Sequence, residues 1–254
     1  MLTITERHQF ILNKLQQEGA TNVLDLCKEL NVSSVTIRKD LKLLEDKQLL
    51  FRTHGGATTK NPYAADRSVN EKELLQSAEK TKIALAAAQT ITPNDSIVIA
   101  SGTTVWALAK QIQPKGNLTV VTSSLQVSLQ LLMHPEIEVI QLGGMLRKNS
   151  SSVAGPYAES ILRDFFCSKV FLGVDGIDVE FGLTTTNVSE AHLNRQMIAA
   201  SQQVIVLADS TKFGKRGFGK ICGIEEVNQV ITDSGIPEHF VRHLESLGIE
   251  VTIV

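Results

Sequence analysis

Three short runs of this chain carry side chains suited to holding a small anionic or hydroxylated ligand. Ser101-Gly102-Thr103-Thr104 follows an apolar stretch and leads directly into a helical pattern. Backbone N–H groups at a helix start point outward and the helix dipole favours negative charge there; Gly102 admits close approach and two hydroxyls add donors. Ser and Thr also cap helices that bind nothing, so this run alone is ambiguous. Two more runs shift the balance: residues 172–178 end a strand pattern with Asp175 and Asp178, and residues 207–214 end another with Lys212. Strand-end loops of a parallel sheet are where its ligands bind. The blander alternatives are acids that cap or pair, and a solvated lysine beside Lys215, Arg216 and Lys220.

A fourth run offers different chemistry. Ile37, Leu41 and Leu44 repeat at helical spacing, which puts Val35, Lys39 and Lys42 on the opposite face with Thr36 and Arg38 on the shoulders. Ser33 or Ser34 caps this helix. A helix of this shape enters the DNA major groove: Ser34, Val35, Thr36 and Lys39 are placed for base edges, Arg38 and Lys42 for phosphates. Arg52 and His54, just before Gly55-Gly56, complete a basic hairpin beside it. A solvated basic face is the alternative, but helices, turn and hairpin occur together in the order a DNA reader requires.

The elements that must position these groups fall into two blocks. A first helix, capped at Thr5, carries Phe10, Ile11 and Leu15 and ends at Gly19; a second spans about Asn22 to Leu30, with Cys27 as a small core residue. Residues 58–78 are polar and contain Asn61-Pro62, the composition of a connector. From about Glu79 short apolar runs alternate with helical patterns: strands over 96–100, 118–121, 137–142, 170–174, 204–207, 230–231 and 251–254. That alternation predicts an α/β domain, doubly wound around a mostly parallel sheet. The expected organisation is therefore 1–57 for nucleic acid, 58–78 as linker, and 79–254 for ligand binding and self-association. The glycine-containing loop from Phe213 to Lys220 is expected to move and to close over ligand.

Composition narrows the class. At 43% hydrophobic and 20% charged residues, the chain has material for a sizeable core, and no apolar run reaches a membrane span. No basic-then-apolar leader opens it, and three widely spaced cysteines fit a reducing cytosol. Residues 1–60 hold nine Lys/Arg against seven Asp/Glu, so DNA binding rests on charge placement and on doubling of the module. His239 and His243 stand four apart, but no carboxylate or cysteine completes a zinc set; Walker A and Gly-x-Ser-x-Gly patterns are absent. No metal or cofactor is expected.

The run from Arg7 to Ala57, with Thr36-Ile37-Arg38-Lys39-Asp40-Leu41 and His54-Gly55-Gly56-Ala57, resembles the winged helix-turn-helix of the DeoR family of bacterial regulators. The similarity continues to the C-terminus. It implies an effector domain related to ribose-5-phosphate isomerases, in which Ser101 to Thr104 match the phosphate loop, Asp175 and Asp178 an Asp-Gly-x-Asp motif, and Lys212 a lysine near the sugar phosphate. Lys82 matches a further phosphate-binding lysine. An isomerase is the alternative reading, but the segment that carries the isomerases' catalytic Glu is here Asn194-Arg195-Gln196-Met197. Two positions depart from the regulators' pattern, Ala100 where Asp is common and Ser123 where Asn is common. The resemblance implies a cytoplasmic repressor of a carbohydrate operon, binding duplex operator DNA, tuned by a phosphorylated sugar or polyol, and acting as a dimer or tetramer.

Overall fold

The computed structural model describes residues 2–47, 49–53, 55–59, 68–114 and 116–254, in two compact units, Met1–Ala65 and Asp66–Val254. His54 and the Asn61-Pro62 connector lie outside the described residues.

In the first unit, α1 (Ile4–Glu18) starts from Thr3, not Thr5. Thr3 Oγ1 accepts from the Glu6 amide at 3.3 Å while the Glu6 carboxylate accepts from the Thr3 amide at 2.7 Å, and this reciprocal pair fixes the start. Gly19, at φ 76°, ends the helix. There follow β1 (Ala20–Asn22), α2 (Val23–Leu30), α3 (Ser34–Asp46), β2 (Phe51–Thr53) and β3 (Gly56–Thr58), with β3 central in a three-stranded sheet. A Cβ on Gly56 would lie 1.8 Å from the Thr21 carbonyl oxygen, so only glycine lets β3 approach β1. Ile11, Leu15, Leu26, Ile37, Leu41 and Leu44 fill the core between the helices.

The second unit opens with α4 (Val69–Glu73), a helix inside the stretch expected to be linker, and α5 (Ser77–Gln89). Strands and helices then alternate: β4 (Ser96–Ile99), α6 (Thr103–Gln111), β5 (Leu118–Thr122), α7 (Leu125–Leu131) and β6 (Ile137–Gln141). A hairpin of β7 (Met145–Arg147) and β8 (Ser152–Ala154) leads through α8 (Pro156–Leu162) to β9 (Cys167–Gly173). Next come β10 (Gly176–Asp178), β11 (Gly182–Thr185), α9 (Val188–Ala199), β12 (Ser201–Leu207), β13 (Gly219–Cys222), β14 (Gln229–Thr232), α10 (Glu238–Ser246) and β15 (Glu250–Ile253). Seven strands form one parallel sheet in the order β15-β14-β12-β9-β4-β5-β6.

Alternate strand residues feed opposite faces. Ile97, Ile99, Phe171, Leu207 and Ile231 pack with Ile83, Leu108 and Val127, while Val98, Val170, Leu172, Val206 and Val230 pack with Leu162, Met197 and Leu244. The chain winds outward from β4 through β5 and β6, then returns to β9 on the other side and winds outward again. The loops after β4 and β9 therefore diverge, which opens a crevice at the carboxyl ends of those strands. Among the described residues no helix is long and apolar enough to cross a membrane.

Candidate functional site

At this switch point the loop after β4 delivers Ser101 and Gly102 half-buried and Thr103 and Thr104 buried. Gly102 sits at φ 127° as the cap of α6 and no side chain caps the helix, so its first amides face the crevice. A Cβ on Gly102 would meet nothing within 4 Å; the backbone angle alone demands glycine. The neighbouring strand end brings Gly173, whose Cβ would come 3.5 Å from the Ser101 carbonyl oxygen, and two residues later Asp175.

Asp175 is held from three sides. Its Oδ2 accepts from the Thr186 amide and from Thr185 Oγ1, each at 3.1 Å, and its Oδ1 lies 2.8 Å from Lys72 Nζ. Burial pushes its carboxyl up, but the Lys72 and Lys212 ammonium groups and these hydrogen bonds outweigh it and hold the pKa below the ordinary value. Thr185 Oγ1 also lies 3.4 Å from Glu190, which pairs with Arg147, so a polar network runs back from the crevice between β11, α9 and the β7–β8 hairpin.

Lys80, on the first turn of α5, is 5% exposed and donates to the carbonyls of Lys72 and Leu75 at 2.5 and 2.6 Å. Burial, then repulsion from Lys212, lowers its pKa to about 8. Asp209 is buried at the end of β12 and caps the turn that carries Lys212, accepting from the Thr211 amide at 3.1 Å. Lys72, Lys80 and Lys212 thus gather with Asp175 and Asp209, and Glu73, itself paired with Lys110, also acts on Lys80. This arrangement suits an anion.

Two expected residues stand elsewhere. Lys82 is exposed, because a step of two residues along a helix turns the side chain about 200° from Lys80. Asp175 stands in the bend between β9 and β10, whereas Asp178 is the last residue of β10 and is engaged elsewhere. It closes the β10–β11 turn by accepting from the Glu180 and Phe181 amides at 3.0 and 2.8 Å and pairs with Arg216 at 2.8 Å. The Phe213–Lys220 loop is stitched down rather than poised to close: Gly214 N–H donates to Ile177 O, Gly217 N–H donates to Thr184 Oγ1, and Phe213 packs edge-on against Phe240.

In the first unit, Val35, Arg38, Lys39 and Lys42 are exposed on α3 and Ser34 and Thr36 are half-buried at its start. Ser33 is the cap: its Oγ accepts from the Thr36 amide at 3.2 Å and lies 3.0 Å from Thr36 Oγ1, so both hydroxyls already have a local partner. Arg52 donates its amide to Glu45 Oε1 at 3.0 Å, which ties β2 to α3. Beneath the exposed face lies a charged group not foreseen from sequence. Asp40, 2% exposed, accepts from Arg7 Nε and Nη2 at 2.7 and 3.0 Å, with His8 Nε2 at 3.3 Å.

Comparison with known proteins accounts for both units. The family model of the DeoR C-terminal sensor domain matches residues 75–234, and that of the DeoR-like helix-turn-helix domain matches residues 7–62. The chain belongs to the DeoR family. A putative aga operon transcriptional repressor of Escherichia coli O157:H7 is 35% identical over 252 residues, 98% of this DeoR chain and 94% of that protein. Among solved structures, the probable sor operon regulator from Shigella flexneri matches with TM-score 0.45 and 14% identity, over 71% of this chain and 91% of that one. A ribose 5-phosphate isomerase from Methanocaldococcus jannaschii matches with TM-score 0.40 and 13% identity, over 54% and 55%.

This DeoR protein is a DNA-binding transcriptional regulator with a small-molecule sensor domain, which sets the isomerase alternative aside. Arg195 on α9 serves the architecture. Its Nε and Nη2 donate to the carbonyls of Ile221 and Lys220 at 3.0 and 2.9 Å. Sequence reasoning missed Lys80 and Lys72. For Lys80 a signal was present: Lys80, Ile83, Ala84 and Ala87 form one helical stripe, and all four are buried. Lys72 carries no such mark, since its helix is a single turn within a polar stretch.

Proposed function

We propose that this regulator represses a carbohydrate-metabolism operon and that a phosphorylated sugar or polyol, held in the crevice, alters its grip on operator DNA. The observation that carries this reading is the buried Lys80 ammonium with Lys212 near it, in the same unit as an α6 start that Gly102 leaves without a side-chain cap. The relative named for the aga operon supports the carbohydrate assignment. In this reading the phosphate takes the amides and hydroxyls of Ser101 to Thr104 with Lys80 and Lys212, and Asp175 accepts from sugar hydroxyls. Asp178 and Lys82 contribute through the turn and the surface rather than by contact. Ser34, Val35, Thr36 and Lys39 read bases, with Arg38, Lys42, Arg52 and His54 on phosphates and Ser33 at the cap. One module spans few base pairs, so the protein acts in the cytoplasm as a dimer or tetramer on repeated half-sites. A ligand moves the equilibrium only by its differential affinity for the two DNA-binding states.

A thermal-shift panel of sugar and polyol phosphates tests the reading. At least one should stabilise the wild type, and the gain should shrink in Thr104→Ala and in Lys212→Ala. If nothing in the panel stabilises the protein, the sensor assignment falls.

A further inference from the structure

The helix α4 reaches the crevice from the end of the chain that, in sequence, joins it to the DNA-binding unit. It is five residues long, too short to hold its shape alone, so its place depends on what it touches. Four attachments hold it. Val69 is buried and its amide donates to the Asn149 carbonyl at 2.6 Å. Lys72 Nζ sits 2.8 Å from Asp175, and Glu73 pairs with Lys110 at 3.0 Å. The carbonyls of Lys72 and Leu75 receive the Lys80 ammonium. The joint to α5 is Gln76 at φ 52°, a left-handed angle that a non-glycine residue keeps only when its surroundings impose it.

Two of these attachments belong to the anion site itself. Lys72 neutralises Asp175, whose charge would otherwise repel a phosphate. The carbonyl of Lys72 on α4 and that of Leu75 just past it take up to two of the three Lys80 donors, which aims the ammonium and leaves a donor for a ligand. We propose that α4 is a working part of the sensor site, docked more firmly when an anion is bound, so that ligand occupancy fixes the base of the segment leading to the DNA-binding unit. This role rests on the anion-binding reading of the crevice. The coupling is reciprocal: whatever loosens α4 weakens the anion, and the anion in turn orders α4.

Amide hydrogen exchange on the full-length protein, with and without inorganic phosphate, tests it. Phosphate should slow exchange both over residues 101–104 and over 69–76. Val69→Ala, which loosens α4 without touching the crevice, should weaken phosphate binding about threefold to tenfold. Protection confined to 101–104, or faster exchange over 69–76, would overturn the role of α4 while leaving the site intact. Absence of protection at 101–104 would overturn the site reading and this inference with it. Should Val69→Ala fail to fold, the wild-type exchange pattern decides alone.

Discussion

In each unit a charged side chain interrupts an apolar helical stripe, and the two interruptions are resolved in opposite ways. Asp40 lies between Ile37, Leu41 and Leu44 on α3, and Lys80 heads Ile83, Ala84 and Ala87 on α5. Asp40 meets Arg7 in a two-pronged pair that matches charge with charge, and the pair locks α3 to α1. Lys80 meets backbone carbonyls rather than a carboxylate, and around it Lys212 and Lys72 oppose Asp209 and Glu73, so burial is what lowers its pKa most. A buried charge with its counter-charge is architecture. One that meets carbonyls instead of a carboxylate is a candidate seat for a ligand's charge.

Removing each charge in turn should separate the two cases. Asp40→Ala strands the Arg7 guanidinium and should cost the fold about 3–5 kcal/mol in chemical denaturation. Lys80→Met should cost the fold clearly less, because losing the desolvated ammonium offsets the two carbonyls it leaves unpaired, while phosphate affinity measured by calorimetry collapses. Equal losses of stability in the two variants would refute the distinction.

Next in size is the exposed face of α3. Lys39→Ala should weaken binding to a selected DNA site by about 1–3 kcal/mol and relax base preference at one position. Unchanged affinity and preference would remove Lys39 from the readers.

The pH dependence follows from the Lys80 pKa of about 8. A bound anion favours the charged amine, so anion affinity is full below that value and falls as pH rises through it. The folding contribution has the opposite slope. Because the folded pKa lies below the ordinary 10.5, the penalty is present in full below about 8 and lifts as pH climbs toward 10.5. A calorimetric series across this window in wild type and Lys80→Met checks both, and a flat wild-type affinity would count against Lys80.

The weakest effect belongs to Asp178→Asn. Its partner Arg216 is 41% exposed, so losing the pair should cost no more than about 1 kcal/mol and leave phosphate binding intact. A large loss of affinity would return Asp178 to the site.

The sheet and the three-helix reader were legible because periodicity reports burial, and both are built from buried stripes. The Ser101–Thr104 junction between β4 and α6 was legible because an apolar strand pattern runs directly into a helical one there, with Gly102 at the turn. Side-chain direction was harder to read. Lys82 and Lys80 differ by two positions and hence by opposite helix faces, and Asp175 and Asp178 are parted by a bend that the sequence pattern does not show. The contribution of α4 stayed hidden because a single helical turn has no period to detect, and its Lys72 meets Asp175 across 103 residues of sequence.

Regulation in this scheme turns on one linkage: an anion seated on Lys80 and the start of α6 controls the grip on DNA. To measure it, a DNA site is selected from a random pool with the wild-type protein. That site is then titrated in the presence of a panel of phosphorylated sugars and polyols, with wild type and with Lys80→Met. At least one compound should shift wild-type DNA affinity, while Lys80→Met binds the same DNA and ignores that compound. An equal response from both proteins, or no response from the wild type to any member of the panel, would contradict the linkage.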